Sequence, residues 1–163
     1  MRYELILWFS AFLKIIPGNI GVFIRCKFLP AKIGKKSKIW SNVQIDSPSN
    51  LVIGENSSIN RGCILNCGGE VEIGNNVLIG PSVTIYSQNH AYKDKSTPIN
   101  KQGYIKNKVI ISDDVWIAAN VTILPGVILA KGTVVAAGAV VTKSTNEYSV
   151  FAGVPAVQVS KRR

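Results

Sequence analysis

From Ile33 onward an aliphatic residue recurs at every sixth position. The series runs Ile33, Ile39, Ile45; then Ile53, Ile59, Leu65; then Ile73, Ile79, Ile85. After one break it resumes with Ile111, Ile117, Ile123, Leu129, Val135 and Val141. A fixed repeat constrains the fold before any local propensity does. Six matches neither the 3.6-residue turn of an α-helix nor the plain alternation of a meandering strand.

Four positions after each aliphatic residue stands a small or β-branched one, for example Cys63, Val77, Val83, Val115, Val121 and Ala139. Turn formers lie between, among them Gly34, Gly54, Gly74, Gly80, Asn75-Asn76, Asp113-Asp114 and Pro125-Gly126. This pattern predicts a short strand and a turn, repeated, with three repeats closing one triangular coil and the aliphatic residues pointing inward. Ile33, Ile53 and Ile73 are twenty apart, so each early coil carries two extra residues at one corner, near Asn50-Leu51 and Gly68-Gly69. The fold class is all-β: a parallel β-helix over residues 33–150, with a short N-terminal helical segment and one protruding loop.

The period fails once, between Ile85 and Ile111, where YSQNHAYKDKSTPINKQGYIKNKVI exceeds what two strands need by some twenty residues. A solenoid that ejects one long loop, here at about 88–108, usually does so for function. The chain's single histidine, His90, lies in it.

Residues 1–32 form a separate segment. Leu5 to Phe12 are strongly apolar, but Lys14 interrupts the run and Pro17-Gly18 ends it, which is too short to span a bilayer. Without a small-residue cleavage site, no signal peptide is expected. An amphipathic helix that caps the open end of the prism is the first reading. Trp8 and Phe9 near Lys14, Arg25 and Lys27 would also suit a helix lying in a membrane interface.

The net charge of +10 suggests an anionic partner. The cations cluster in Arg25 to Lys38, in Lys93 to Lys108 and in the basic tail at 151–163, ending Lys161-Arg162-Arg163. No helix-turn-helix, zinc or RNA-binding signature accompanies them, so no nucleic acid is expected. A phosphate-bearing cofactor, an anionic membrane or a solvated basic face remain. Cys26, Cys63 and Cys67 are an odd count without metal-ligand spacing, which reads as reduced thiols in a cytoplasmic protein.

Four stretches, IGNNVLIGPSVTIYSQNH (73–90), ISDDVWIAANVTILPGVIL (111–129), VVAAGAVVTK (134–143) and FAGVPA (151–156), resemble the hexapeptide-repeat acyltransferases, in particular their galactoside and polysaccharide O-acetyltransferase branch. IPGNIGVFIR (16–25) resembles the N-terminal portion of the polysaccharide-cluster members. The resemblance implies a left-handed coil, a homotrimer with sites between subunits, acetyl-CoA as co-substrate, and no metal. It implies that His90 is the general base. A neutral imidazole within reach of an acceptor hydroxyl can take its proton as it attacks a thioester. Asn60 aligns with an acceptor-binding asparagine, whereas Gly68 stands where the galactoside branch has an acceptor-binding aspartate, so a simple galactoside is not the expected acceptor. On the cofactor side the resemblance assigns Trp116 beside the pantetheine arm, backbone groups of Ala119 and Ala137, and Thr142 and Lys143 near the nucleotide. Two arginines that follow AGVP in that branch are replaced by Val157 and Ser160, leaving Lys161 and its neighbours to substitute.

The expected activity is transfer of an acetyl group from acetyl-CoA to a sugar hydroxyl in cell-surface polysaccharide assembly, directly within a ternary complex. N-acylation of a nucleotide-linked amino sugar is the alternative. A β-helical carbonic anhydrase would need three histidines at one zinc, and a non-catalytic interaction module would bind no acetyl-CoA. The expected location is cytoplasmic, with peripheral contact at the inner membrane face as an option.

Overall fold

The computed structural model describes residues 2–163, with side chains from Trp8 onward apart from Ser10. Three walls of short parallel strands enclose a triangular prism. The first wall stacks Lys32–Ile33, Leu51–Ile53, Val71–Ile73, Val109–Ile111 and Ile128–Leu129. The second stacks Lys38–Ile39, Ser58–Ile59, Leu78–Ile79, Trp116–Ile117, Val134–Val135 and Ser149–Ala152. The third stacks Gln44–Asp46, Ile64–Asn66, Thr84–Tyr86, Thr122–Ile123 and Val140–Val141.

Registers follow the sequence period. Ile53 pairs with Ile73 and Ile73 with Ile111 on the first wall. Ile59, Ile79 and Ile117 align on the second, and Leu65, Ile85 and Ile123 on the third. These side chains stack on their equivalents in the next coil and are buried, as are the small residues that follow them, from Cys63 and Val77 to Ala139. Cys63 and Cys67 lie in this core as free thiols, and burial pushes Cys67 up to about 12.

Tight corners require a left-handed residue, which is where Asn and Gly are least strained. Between the second and third walls that position is filled by Asn42, Gly62, Ser82, Asn120 and Gly138, with φ of 59°, 72°, 57°, 58° and 73°. The two-residue excess of the early coils sits at the corner joining the third wall to the first, as a 3-10 turn at Pro48–Asn50 and again around Gly68-Gly69.

The N-terminal segment is two helices rather than one: α1 (Arg2–Ile15) and α2 (Gly18–Phe28), broken where Pro17 precedes Gly18 at φ +66°. Together they cover the first coil. In the solenoid the third corner residue donates its N–H to the coil beneath, as Asn120 does to Pro81 O at 3.0 Å; Asn42 has no coil beneath and donates to Lys14 O of α1 at 2.7 Å. Arg25, buried, reaches from α2 so that Nε donates to Ile39 O at 2.9 Å. Its Nη1 donates to Leu13 O and Ile16 O at 2.9 and 2.7 Å. The guanidinium thus satisfies an edge carbonyl of the first coil and ties both helices to it, because unpaired buried carbonyls are costly.

At the other end the strand Ser149–Ala152 turns back through Gly153 and a cis Val154-Pro155 bond into Val157–Lys161, which pairs antiparallel along the second wall. Within the basic tail at 151–163, residues 157–161 are therefore docked strand. Arg162 Nη1 then makes an ion pair with Asp114 Oδ2 at 2.9 Å.

Candidate active site

The ejected loop leaves the corner between the third and first walls, where the two extra residues of the earlier coils lie. It opens as an antiparallel pair, Gln88–His90 against Tyr104–Lys106, with His90 opposite Tyr104. Its base is closed by Asn107 N–H to Ser87 O at 2.9 Å, and the far end of the strand pair by Ala91 N–H to Gly103 O at 3.0 Å. Beyond His90 the loop folds on itself: Gln102 Nε2 donates to Asp94 O and Thr97 O, both at 2.7 Å. Hydrogen bonds from Ser96 hold the exposed Asp94 carboxyl down at about 2.

His90 is exposed on this hairpin. Its ring stacks on Tyr104, with centroids 4.6 Å apart and planes tilted by 35°. Beneath the hairpin, buried Ser87 Oγ donates to Asn66 O at 2.7 Å and accepts from Gly69 N–H at 2.8 Å. Gly68 lies against the side-chain amide of Gln88, and Gly69 against the Ser87 carbonyl. A side chain at Gly69 would overlap that carbonyl and approach Asn107 N within 2.9 Å. Gly68, which stands where an acceptor-binding aspartate was expected, thus makes room for the strand that carries His90. Gln88 and Tyr104 were not singled out in the sequence; Tyr104 reaches the histidine only through strand pairing across thirteen intervening residues.

The residues that the sequence resemblance assigns to the cofactor lie elsewhere. Trp116 points outward from the second wall, half exposed, between Leu78 and Val134 in register. That wall faces away from the corner that carries His90, so one chain does not bring the two side chains together. Asn60, Ala119 and Ala137 share the corner between the second and third walls, on different coils.

At that corner the second turn position is filled in succession by Arg61, Pro81, Ala119 and Ala137. Arg61 N–H is capped by Asn60 Oδ1 at 2.8 Å, and Pro81 has no N–H. Among the described residues the amides of Ala119 and Ala137 make no hydrogen bond. Gly80 beneath them permits the close stacking, since a Cβ there would lie 2.8 Å from Ala118 C and 2.9 Å from Ala119 N. Two free donors thus sit above one another on an accessible edge. Asn60 spends its carbonyl on the turn and keeps its amide N–H groups free. Just below it the Arg61 guanidinium lies 5.5 Å from the centre of the Trp40 ring, a pair the sequence pattern does not mark.

Thr142 and Lys143 are exposed at the top of the corner from which the His90 hairpin springs, and Lys161 is exposed on the outermost strand. Arg162 is engaged by Asp114 and by Gly132 O at 3.2 Å, so it does not stand free as a phosphate partner.

Among curated proteins none matches the chain in sequence. The family described as bacterial transferase hexapeptide (six repeats) matches residues 108–143, the coils that carry Trp116, Ala119 and Ala137. A maltose O-acetyltransferase from Clostridium difficile superposes with a TM-score of 0.87 at 27% identity, over 98% of this chain and 86% of its own. A hexapeptide-repeat-containing acetyltransferase from Vibrio cholerae, solved with acetyl coenzyme A, gives 0.85 at 26% identity, over 94% and 83%. The chain is an acyltransferase that carries the hexapeptide repeat of bacterial transferases over residues 108–143. An N-acyltransferase from Bacillus cereus, in complex with a dTDP-linked amino sugar and coenzyme A, shares the transferase's fold at a TM-score of 0.66. It is 20% identical over 81% of this chain and 84% of its own.

Proposed function

We propose that this transferase is an acetyl-CoA-dependent O-acetyltransferase of a sugar hydroxyl, working as a homotrimer in cell-surface polysaccharide assembly on the cytoplasmic side. Acyl transfer from acetyl-CoA is the part that the similar acetyltransferases support directly. The observation that carries the rest is the hairpin: the fold interrupts its repeat once, and the interruption presents His90 on a rigid, aromatic-backed strand. Trp116 and the free Ala119 amide lie on other faces of the prism, so a neighbouring copy completes the site.

In that site His90 takes the proton as the acceptor oxygen attacks the acetyl carbonyl. The Ala119 N–H donates to the oxygen as it gains negative charge, and His90 returns the proton to the departing thiolate. A positioned base contributes about 10²–10⁴-fold and a single oxyanion donor about 10²–10³-fold. Asn60 offers N–H donors to an acceptor hydroxyl, Ala137 N–H serves the pantetheine amides, and Thr142, Lys143 and Lys161 meet phosphate. N-acylation of a nucleotide-linked amino sugar is the second reading, favoured by the fold shared with the Bacillus cereus enzyme. Incubation with acetyl-CoA and panels of glycans and amino sugars, followed by mass analysis and mild alkali, separates them. An alkali-labile ester supports the proposal, and a stable amide rejects it.

A further inference from the structure

Leu13, Val22 and Arg25 turn inward to close the prism, and the opposite faces of both helices are left bare. Trp8, Phe12 and Ile15 follow one another at helical spacing on α1 and are 76%, 61% and 61% exposed. On α2, Ile20 and Phe23 continue the surface at 72% and 63%. Scattered exposed apolar residues need no explanation, but a contiguous patch of large ones marks an interaction site.

Cations frame this patch. A groove of about 410 Å³ runs between α2 and the first coil, walled by Val22, Phe23 and Cys26 and rimmed by Lys27, Lys36 and Lys38. Lys27 Nζ lies 5.6 and 5.7 Å from the ring centres of Phe23 and Phe28. Among the described residues none of these three lysines makes an ion pair. Residues 1–43 hold eight of the 19 Lys and Arg but one of the nine Asp and Glu, so this end of the molecule is strongly cationic.

We infer that the helical end of the prism docks on an anionic phospholipid bilayer. The helices lie in the interface plane, Trp8, Phe12 and Phe23 enter the acyl boundary, and Lys27, Lys36 and Lys38 meet lipid phosphates. Charge complementarity selects this partner. Bulky apolar side chains beside unpaired cations suit the headgroup boundary, which offers hydrocarbon and phosphate within a few ångströms. The fourteen residues of α1 fall short of the roughly 20 needed to cross a bilayer, and among the described residues no helix is long and apolar enough to do so. The inference stands whatever the acceptor proves to be.

The test is co-sedimentation of the full chain with vesicles of phosphatidylcholine alone and of phosphatidylcholine with phosphatidylglycerol, at low and high salt. Binding is expected only with phosphatidylglycerol and is expected to weaken with salt. Each lysine near such a surface is worth roughly a fivefold change in partitioning. The triple variant Lys27→Gln, Lys36→Gln, Lys38→Gln should therefore lose on the order of a hundredfold. The variant Phe12→Ser, Phe23→Ser should also lose binding. Both should keep wild-type acetyl-CoA affinity, which shows that they fold. Absence of wild-type binding to either vesicle, or undiminished binding by the lysine variant, would overturn the inference. So would a fall in oligomer mass on Phe12→Ser, Phe23→Ser, since the patch would then be a contact between copies.

Discussion

Replacing Gly69 by alanine tests how the fold holds His90. The added methyl would overlap the Ser87 carbonyl and lie 2.9 Å from Asn107 N, the two groups whose hydrogen bond closes the base of the His90 hairpin. Gly69 has ordinary backbone angles, so its conformation itself costs alanine nothing and the whole effect comes from the contact. Neither neighbour is a flexible side-chain end. The hairpin base must move, at the cost typical of overpacking, about 1–3 kcal/mol. For a chain of this size that lowers Tm by about 3–10 °C. Activity should fall further than stability, because a shift of about 1 Å in a catalytic group can cost about 10²-fold. Gly68→Ala is the internal comparison. Its methyl meets the Gln88 side-chain amide, which can swing aside, so Tm should drop by less than about 3 °C. The assays are thermal unfolding and acetyl transfer at a temperature where both variants are folded. A Gly69→Ala protein that melts and transfers like wild type would refute the claim that the glycines under the hairpin set the position of His90.

Further consequences are equally direct. Ala119→Pro removes only an N–H at a turn position that Pro81 already occupies one coil below, so folding should persist while kcat falls by about 10²–10³-fold. Steady-state kinetics beside a thermal melt checks this. Ile117→Ala empties a fully buried site stacked between Ile79 and Val135, and should cost about 2–5 kcal/mol in denaturant unfolding. Arg25→Met leaves the carbonyls of Leu13, Ile16 and Ile39 without their donor. It should destabilise the cap by about 2–5 kcal/mol, read as a lower Tm and faster proteolysis near Pro17. The Cys67 thiol is neutral in the folded chain up to about 12, whereas the unfolded chain gives up that proton near its ordinary value of 9.0. The contribution of this thiol to stability should therefore be flat below about pH 9 and fall as pH rises above it. At pH 8 a thiol reagent should leave Cys63 and Cys67 unmodified until the chain unfolds.

The prism was readable because its cause is local and repeated. Each wall strand from Ile39 to Val141 turns an aliphatic side chain inward to stack on the one below, so the period of six survives in the sequence and fixes which residues share a wall. The corner joining the third and first walls was readable for the same reason, since Asn50-Leu51, Gly68-Gly69 and the long loop all break the period there. The second helix was less legible. Gly18 to Phe28 carries two glycines and β-branched residues, weak helix formers, and it is helical because Val22, Arg25 and Cys26 pack on the first coil. Tyr104 was invisible as the partner of His90 because the two meet only through strand pairing. The C-terminal strand was hidden by its basic composition, which describes its exposed side chains and not its docked backbone. The free amides of Ala119 and Ala137 lie between these cases. Pro81 at the equivalent position shows in the sequence that this N–H is not needed by the fold, but only the coil register identifies which alanines inherit it.

The central claim is that His90 supplies the base for acetyl transfer. It is tested most directly by comparing His90→Ala with wild type in acetyl-CoA binding and in turnover of an acceptor found by the screen. The account predicts unchanged acetyl-CoA affinity and melting temperature with kcat lower by about 10²–10⁴-fold. A folded His90→Ala enzyme that turns over at the wild-type rate would contradict it.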